Sequence, residues 1–226
     1  IEQHHLYISA SIGVSIISGR GANAGTFIKE ADIAMYEVKA KGRDGVFMFN
    51  EEMSARVESR LEIERLLHVA LTQAEITLHY QPQLDRAGRI VGVEALARWN
   101  NATLGAVSPA QFIPVAEQTG LIVELGSHIL DTGFRTLREW HDAGIELDQF
   151  SINISMRQFT HHDFATQAET LMRRHLDAGL CRKLVFEITE SIVAEDINRV
   201  ILVINRLRQS GIRFSMDDFG TGYSSL

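Results

Sequence analysis

From residue 76 onward, stretches in which apolar residues alternate with small or polar ones are followed by stretches with helical periodicity. The first pattern predicts strands and the second predicts amphipathic helices. The predicted strands are Ile76–Leu84, Ile90–Trp99, Phe150–Ser155, Leu184–Thr189 and Arg213–Phe219. The predicted helices are Pro109–Gln118, Leu121–Asp142, His162–Leu176 and Asp196–Gln209. Strands that alternate with helices are typical of parallel βα units, so we expect an α/β fold.

The first 75 residues form a separate pattern. A strand within 6–17, a helix over 26–41 that ends at Gly42, and a short strand over 46–49 predict the end of another α/β domain. Charged residues with periodic apolar ones then predict a continuous amphipathic helix over 50–74. We place the domain boundary near Ala55, which divides the chain into 1–54 and 55–226.

Composition narrows the class of protein. The chain has 226 residues, of which 45% are hydrophobic, with a net charge of -7 and one cysteine, Cys181. It can form a sizeable core, and it carries no basic stripe for a DNA or RNA polymer. No apolar run reaches the ~18 residues of a membrane span. The chain starts at Ile1 and stops at Leu226 directly after a Gly-rich turn, so we expect an excerpt from a longer protein.

The stretch 91–99 carries one acid and one base on an otherwise apolar strand. Alternation places Glu94, Leu96 and Arg98 on one face. We expect both faces of this strand to be buried, as in a parallel sheet. A buried carboxylate and guanidinium must be paired or bind something else. An internal Glu94–Arg98 ion pair and a ligand site are both open at this point.

Oxygen-bearing side chains recur near the ends of the later strands: Asn153, Glu187 and the pair Asp217 and Asp218. From Asn153 to Glu187 is 34 residues and from Glu187 to Asp217 is 30, about the length of one βα unit. Equivalent strand ends meet at one rim of a (β/α) barrel, where the active sites of such barrels lie. The chain is therefore expected to hold the first five strands of a TIM-like barrel with its site at that rim.

Carboxylate and amide oxygens gathered in a lumen repel one another without a cation, and they suit Mg²⁺ or Mn²⁺ rather than zinc. Asp218 lies beside the first set and is placed to help hold a second ion. Two ions ~4 Å apart are the usual arrangement for hydrolysis of a phosphodiester. Any single acid here has a structural or helix-capping alternative, but four in register favour the metal site.

The segment from Ala31 to Tyr36, with Lys39, Gly42 and Arg43, resembles the C-terminal third of a GGDEF domain, the diguanylate cyclase fold. The resemblance implies that residues 1–54 belong to such a domain, whose catalytic signature lies upstream. It implies a phosphate contact for Lys39, and a solvated lysine at a helix end is the alternative.

Residues 58–226 resemble the EAL domain, a cyclic di-GMP phosphodiesterase. The motifs that carry this resemblance are Tyr80-Gln81-Pro82, Glu94-Ala95-Leu96 with Arg98-Trp99, Ser108-Pro109, Phe112-Ile113-Pro114 with Ala116-Glu117, Asn153-Ile154-Ser155 with Gln158-Phe159, Glu187-Ile188-Thr189-Glu190-Ser191, and Asp217 to Leu226. The resemblance implies hydrolysis of cyclic di-GMP to linear pGpG. A receptor that binds cyclic di-GMP without cleaving it is the alternative, and an enolase-like barrel is a weaker third hypothesis.

The resemblance also implies roles for single residues. Glu94, Asn153, Glu187 and Asp217 would hold the first cation and Asp218 the second, with Glu94, Glu187, Asp217, Asp218 and Glu190 as the catalytic set. Arg98 would bind a substrate phosphate, and Gln81 and Leu96 would contact the nucleotide. Glu190 would anchor the loop that follows its strand, and an N-terminal helix charge is its alternative.

Two departures from the family pattern matter. Asn100-Asn101 stands where the family often has His-Pro, which is a loop change without evident chemical cost. The family's catalytic lysine and later residues lie beyond Leu226, so the fragment alone is expected to be inactive and prone to aggregation. For the parent we expect a cytoplasmic homodimer formed through the EAL domain, with membrane attachment only through segments outside this chain.

Two further features are expected to lie outside the chemistry. A lone G-x-G such as Gly220-Thr221-Gly222 is weak evidence of a phosphate loop, so a sharp backbone turn is the better interpretation. His161 and His162 are expected to be solvated, because their spacing from the acids does not match a metal site.

Overall fold

The computed structural model describes residues 9–17, 23–40, 42–189 and 197–217, except for the side chain of Asp217. The chain divides into two compact units, Ile1–Ile63 and Glu64–Leu226. Among the predicted features, Glu190, Asp196, Asp218 and the turn Gly220-Thr221-Gly222 lie outside the described residues. No helix within the described ranges is both long enough and apolar enough to cross a membrane.

The first unit contains the predicted strand–helix–strand element. Strand β1 (Ser11–Val14) pairs in parallel with β2 (Gly45–Met48), and helix α1 (Ala24–Ala40) connects them. Gly13 permits close packing of the helix on the strand, because a Cβ there would lie 1.9 Å from the Ala31 carbonyl oxygen. Gly42 follows the helix with φ +107°, as expected for a residue that ends a helix.

Helix α2 (Glu51–Thr72) confirms the predicted helix between the two patterns. Its apolar residues do not all face one side: Ile63, Leu67 and Ala70 are buried, whereas Leu61 is 60% exposed. The predicted boundary at Ala55 falls in this helix and stays a prediction.

The second unit is built on one mixed sheet. Its strands are β3 (Ile76–Leu84), β4 (Ile90–Asn101), β5 (Gly105–Val107), β6 (Gln149–Ile154), β7 (Leu184–Thr189) and β8 (Arg213–Asp217). The order is β3-β4-β6-β7-β8, with β5 paired to the end of β4. β4, β6, β7 and β8 are parallel, as expected for the first strands of a TIM-like barrel.

The first strand pair departs from the expected parallel arrangement, because β3 is antiparallel to β4. Residues 85–89 form a tight turn, in which the Asp85 carboxylate accepts hydrogen bonds from the backbone N–H groups of Ala87 and Arg89. A connection this short can join only antiparallel neighbours, since a parallel crossover needs about a dozen residues or more. The expectation of parallel units throughout was therefore wrong for this pair.

In the described part of the second unit, six helices follow the strands. They are α3 (Pro109–Thr119), α4 (Ile122–Asp142), α5 (Met156–Phe159), α6 (Phe164–His175), α7 (Ala178–Cys181) and α8 (Ile197–Gln209). The four long ones were predicted. The strand β5 and the helices α5 and α7, of three or four residues, are too short to show periodicity. The two short helices are marked instead by their N-cap residues: the side chains of Ser155 and Asp177 accept hydrogen bonds from backbone N–H groups at the starts of α5 and α7.

The core lies between the sheet and helices α4, α6 and α8. Alternate residues of β6 and β7, such as Phe150, Ile152 and Phe186, are fully buried on this side. Phe186 stacks on Phe134 of α4 with ring centroids 6.4 Å apart. Because the helices cover this face of the sheet, the side chains that alternate with the core residues point to the opposite face.

Asn101 has a structural role that the sequence did not suggest. It is 7% exposed, and its amide nitrogen donates to Glu75 Oε2 at 2.9 Å. Its Oδ1 accepts from the backbone N–H groups of Thr103 and Leu104, which closes the turn between β4 and β5. Glu75 also accepts from Trp99 Nε1, and these two donors hold the pKa of its carboxyl below the usual value. Asn101 thus connects the start of β3 to the end of β4.

Asn101→Ala is expected to destabilise the protein by about 1–2 kcal/mol, because two backbone N–H groups lose their acceptor and Glu75 loses a donor. The midpoint of thermal unfolding should then fall by roughly 2–8 °C. The control is Asn100→Ala, since Asn100 is the exposed neighbour of the same type. Equal midpoints for the two variants would contradict the role assigned to Asn101.

Candidate functional site

Strand β4 presents its acid and its base on one face, as the alternation predicted. Glu94, Leu96 and Arg98 are half-buried, whereas Val93 and Trp99 on the other face are buried. Full burial of both faces, expected for this strand, was therefore wrong, because the face that carries Glu94, Leu96 and Arg98 is only half-buried. No ion pair joins Glu94 to Arg98: Arg98 donates to the carbonyl oxygen of Ala97 at 2.9 Å. The hypothesis of an internal ion pair is not supported.

Glu94 instead contacts the next strand. Asn153 Nδ2 donates to Glu94 Oε1 at 2.7 Å, between β6 and β4. Asn153 is also the register partner of Glu187 on β7. Side chains of register partners on neighbouring parallel strands lie on the same face of the sheet. The structure thus brings Glu94, Asn153 and Glu187 together across three successive strands.

A cavity of about 300 Å³ opens beside these groups. Four of the predicted site residues line it: Leu96, Arg98, Asn153 and Glu187. The remaining wall comes from further residues of β4, β6 and β7 and from α3, α4 and the segment after β6. It includes Ala95, Ala97, Ile154, Thr189, Pro109, Ile113, Ile122, Gly126, Ile129 and Gln158. The cavity is mostly apolar with a few polar groups along one side, which is typical of small-molecule sites.

The other predicted residues occupy positions around this cavity or outside the described part. Gln81 is the antiparallel register partner of Glu94 and is exposed. Asp217 ends β8 and pairs in register with Thr189, which also lines the cavity. Asp218 and Glu190 lie outside the described residues. Their roles, like those of the other site residues, stay predictions.

Two residues of the cavity wall were quoted only as parts of motifs. Glu117 on α3 is half-buried in the wall, and burial raises the pKa of its carboxyl, an effect that Arg157 partly opposes. Gln158 is 4% exposed and packs on Gly126 of α4, where a Cβ would lie 2.2 Å from its amide. Glu117 and Gln158 are the polar residues of the motifs Ala116-Glu117 and Gln158-Phe159, and this is the signal in the sequence that points to them.

Arg157 connects the helix wall to the strand that carries Asn153. It is exposed, and its Nη1 donates to the carbonyl oxygens of Glu117 and Gln118 near the end of α3. The Glu117 carbonyl also accepts the backbone N–H of Gly120, which follows the helix. The contact therefore joins the end of α3 to the segment just after β6.

The oxygen atoms of Glu94, Asn153 and Glu187 are suitable ligands for a hard divalent cation. Glu94 and Glu187 offer carboxylate oxygens and Asn153 an amide oxygen, which are the ligands that Mg²⁺ and Mn²⁺ prefer. The contact of Asn153 Nδ2 with Glu94 places two of these groups within reach of one ion. For both to bind a cation, the amide of Asn153 must present its oxygen instead of its nitrogen.

The remaining polar candidates are Lys39 and the two adjacent histidines, His161 and His162. Lys39 is exposed in the last turn of α1, so the structure agrees with a solvated lysine. His162 is exposed and its Nε2 is 2.9 Å from Asp163 Oδ2, while His161 is half-buried. Neither histidine lines the cavity.

The fold and this cavity define a TIM-like barrel protein whose candidate site combines carboxylate, amide and guanidinium groups at the ends of its strands. Residues 64–226 match the family model of the EAL domain, and residues 1–45 match that of the diguanylate cyclase GGDEF domain. The chain belongs to the EAL domain family and begins with a piece of a GGDEF domain.

Two relatives match all or nearly all of the chain. The bifunctional diguanylate cyclase/cyclic di-GMP phosphodiesterase MucR of Pseudomonas aeruginosa is 38% identical over 100% of the chain, which spans 33% of that protein. The cyclic di-GMP phosphodiesterase PdeR of Escherichia coli is 35% identical over 98% of the chain, again 33% of that protein. The chain thus spans about a third of the length of these relatives.

Solved structures agree with the fold. A structure of the PaMucR phosphodiesterase in complex with c-di-GMP matches with a TM-score of 0.67 at 38% identity, covering 73% of this chain and 66% of that chain. The cAMP-bound form of the EAL enzyme Bd1971 matches with a TM-score of 0.67 at 30% identity, covering 91% of this chain and 53% of that one.

The raised pKa of Glu117 predicts a pH-dependent stability. A carboxyl group with a raised pKa binds its proton more tightly in the folded state, so its contribution to stability falls as the pH rises above the ordinary value of 4.5. Glu117→Gln should therefore unfold at a higher temperature than the wild type at pH 7.5, and the difference should vanish at pH 4. The control is Glu64→Gln, at an exposed position of α2. The prediction would be contradicted if the unfolding midpoints of Glu117→Gln and the wild type differed by the same amount at both pH values.

Proposed function

We propose that the full-length protein hydrolyses cyclic di-GMP to linear pGpG in its EAL domain and depends on Mg²⁺ or Mn²⁺. The observation that carries this proposal is the convergence of Glu94, Asn153 and Glu187 from three successive parallel strands beside a cavity that also holds Arg98. Carboxylate and amide oxygens suit a hard cation, and a guanidinium suits a phosphate, so the set suits a metal-bound phosphodiester.

In this proposal Glu94, Asn153, Glu187 and Asp217 hold the first cation, and Asp218 helps to hold the second. Bound cations would polarise the phosphodiester and lower the pKa of an attacking water. The half-buried position of Glu94 and Glu187 strengthens their electrostatic contribution, because fewer water molecules screen their charges.

Arg98 and the cavity wall bind the substrate. The Arg98 guanidinium is held by the Ala97 carbonyl and lines the cavity with Leu96, so one end of the group stays available to a phosphate oxygen. Leu96 contributes apolar surface against a nucleotide, and Gln81, beside Glu94 in the β3–β4 register, offers an amide at the rim. The names of MucR and PdeR, which include cyclic di-GMP phosphodiesterase, support this substrate.

A receptor that binds cyclic di-GMP without cleaving it is the alternative. Loss of a cation ligand is the change that would favour it, and the predicted ligand positions within residues 1–226, namely Glu94, Asn153, Glu187, Asp217 and Asp218, all carry an acid or an amide. The homodimer and the cytoplasmic location stay predictions.

The direct test is turnover by the full-length protein. Cyclic di-GMP is incubated with Mg²⁺ or with Mn²⁺, and pGpG is followed by chromatography. The wild type is expected to form pGpG, EDTA should abolish the reaction, and Glu94→Ala should lower kcat by at least about 100-fold, since a cation ligand is lost. Glu64→Ala, at an exposed acid on α2, is the matched control and should keep full activity. Tight binding of cyclic di-GMP without turnover in either cation would overturn the hydrolase proposal in favour of the receptor.

Arg98→Lys tests the phosphate contact. Lysine keeps the charge but loses the planar pair of N–H donors, so we expect kcat/KM for cyclic di-GMP to fall roughly tenfold, which corresponds to about 1.4 kcal/mol of transition-state binding. Arg89→Lys in the β3–β4 turn is the control, because Arg89 contacts Asp85 rather than the cavity. Unchanged kcat/KM in Arg98→Lys would remove Arg98 from the substrate site.

A further inference from the structure

Ser151 on β6 has a buried hydroxyl group that no described residue pairs with. The residue is 0% exposed, and its Oγ has no hydrogen-bond partner in the part of the chain that the structure describes. An unpaired buried hydroxyl destabilises the fold, and alanine at this position would avoid the cost. The hydroxyl is therefore expected to have a partner in another state of the site.

The β4–β6 register indicates which partner this is. Ser151 is the register partner of Glu94 on the neighbouring parallel strand, so both side chains lie on the same face of the sheet. Its partner on the other side is Val185 of β7, whose side chain offers no hydrogen-bond acceptor. Asn153, two residues further along β6, shares the same face. Among the register partners of Ser151, Glu94 is thus the one with a side-chain acceptor.

Glu94 needs a second donor when the site is loaded. Among the described residues its hydrogen-bond partner is Asn153, through the amide nitrogen. As a cation ligand, Asn153 must present its amide oxygen, which takes this donor away from Glu94. The carboxylate then loses its only observed support in the state in which it must be held for the ion.

We propose that Ser151 is a positioning residue for Glu94, and that its hydroxyl donates to the Glu94 carboxylate in the cation-loaded site. This inference rests on the cation site of the proposed function. A residue that donates a hydrogen bond to a metal-binding side chain orients that side chain. Loss of such a residue commonly weakens metal affinity about 10–100-fold. Ser151 thus lowers the stability of the ion-free protein, and in the cation-loaded protein it holds Glu94 in position.

The test is a measurement of cation affinity rather than of turnover. Mn²⁺ is titrated into the full-length protein in a calorimeter, without nucleotide, and thermal unfolding is recorded on ion-free samples. Ser151→Ala should bind Mn²⁺ about 10–100-fold more weakly. Its ion-free unfolding midpoint should equal or exceed that of the wild type, because the unpaired hydroxyl is gone.

Two further variants separate the hydrogen bond from packing. Ser151→Cys keeps the shape of the side chain, with a somewhat larger sulfur in place of the oxygen, but is a poor donor, so it should lose affinity as Ser151→Ala does. Ser127→Ala, at a half-buried serine of α4 that does not line the cavity, should keep wild-type affinity.

The outcomes distinguish this inference from the function on which it rests. Wild-type affinity in Ser151→Ala or in Ser151→Cys, beside a wild type that binds Mn²⁺, would overturn the role of Ser151 and leave the cation site intact. A wild type that binds no Mn²⁺ would overturn the cation site itself, and the role of Ser151 with it.

Discussion

The candidate site depends on the parallel register of β4, β6 and β7. That register sets Ser151 beside Glu94 and Asn153 beside Glu187, so that polar side chains from three strands share one face. A slip of one residue would turn every polar group on the slipped strand to the other face of the sheet. The buried residues that alternate with them prevent this, because a slip would also move Ile152 and Phe186 out of the core. The hydrophobic core thus aligns the polar groups of the site.

The helices contribute more than cover for the sheet. Gly126 of α4 lets the amide of Gln158 approach the helix backbone, and Arg157 binds the last carbonyls of α3. Both contacts originate in the short helix α5, which directly follows the strand that carries Asn153. The segment after β6 therefore fixes the cavity wall and Asn153 together, so a change in either would affect the other.

Several polar residues carry a cost that only the surrounding structure explains. Burial raises the pKa of Glu117, and Ser151 keeps an unpaired hydroxyl in the sheet. Asn101 is also buried, but each of its polar groups has a partner in the fold. Asn101 thus holds the fold together, whereas Glu117 lines the cavity and Ser151 lies beside Glu94 in the β4–β6 register.

The sequence by itself determined the elements and the candidate ligands. Strands and helices longer than about six residues follow from the period of their apolar positions, and the strand-end positions of Glu94, Asn153, Glu187 and Asp217 follow from the same pattern. Only the tertiary structure decided the antiparallel start of the sheet, the absence of a Glu94–Arg98 ion pair, and the structural role of Asn101. It also placed Glu117 in the cavity wall and Ser151 beside Glu94. Periodicity records which face of an element is buried, whereas these contacts depend on which neighbour lies across that face, and residues far apart in the chain decide that.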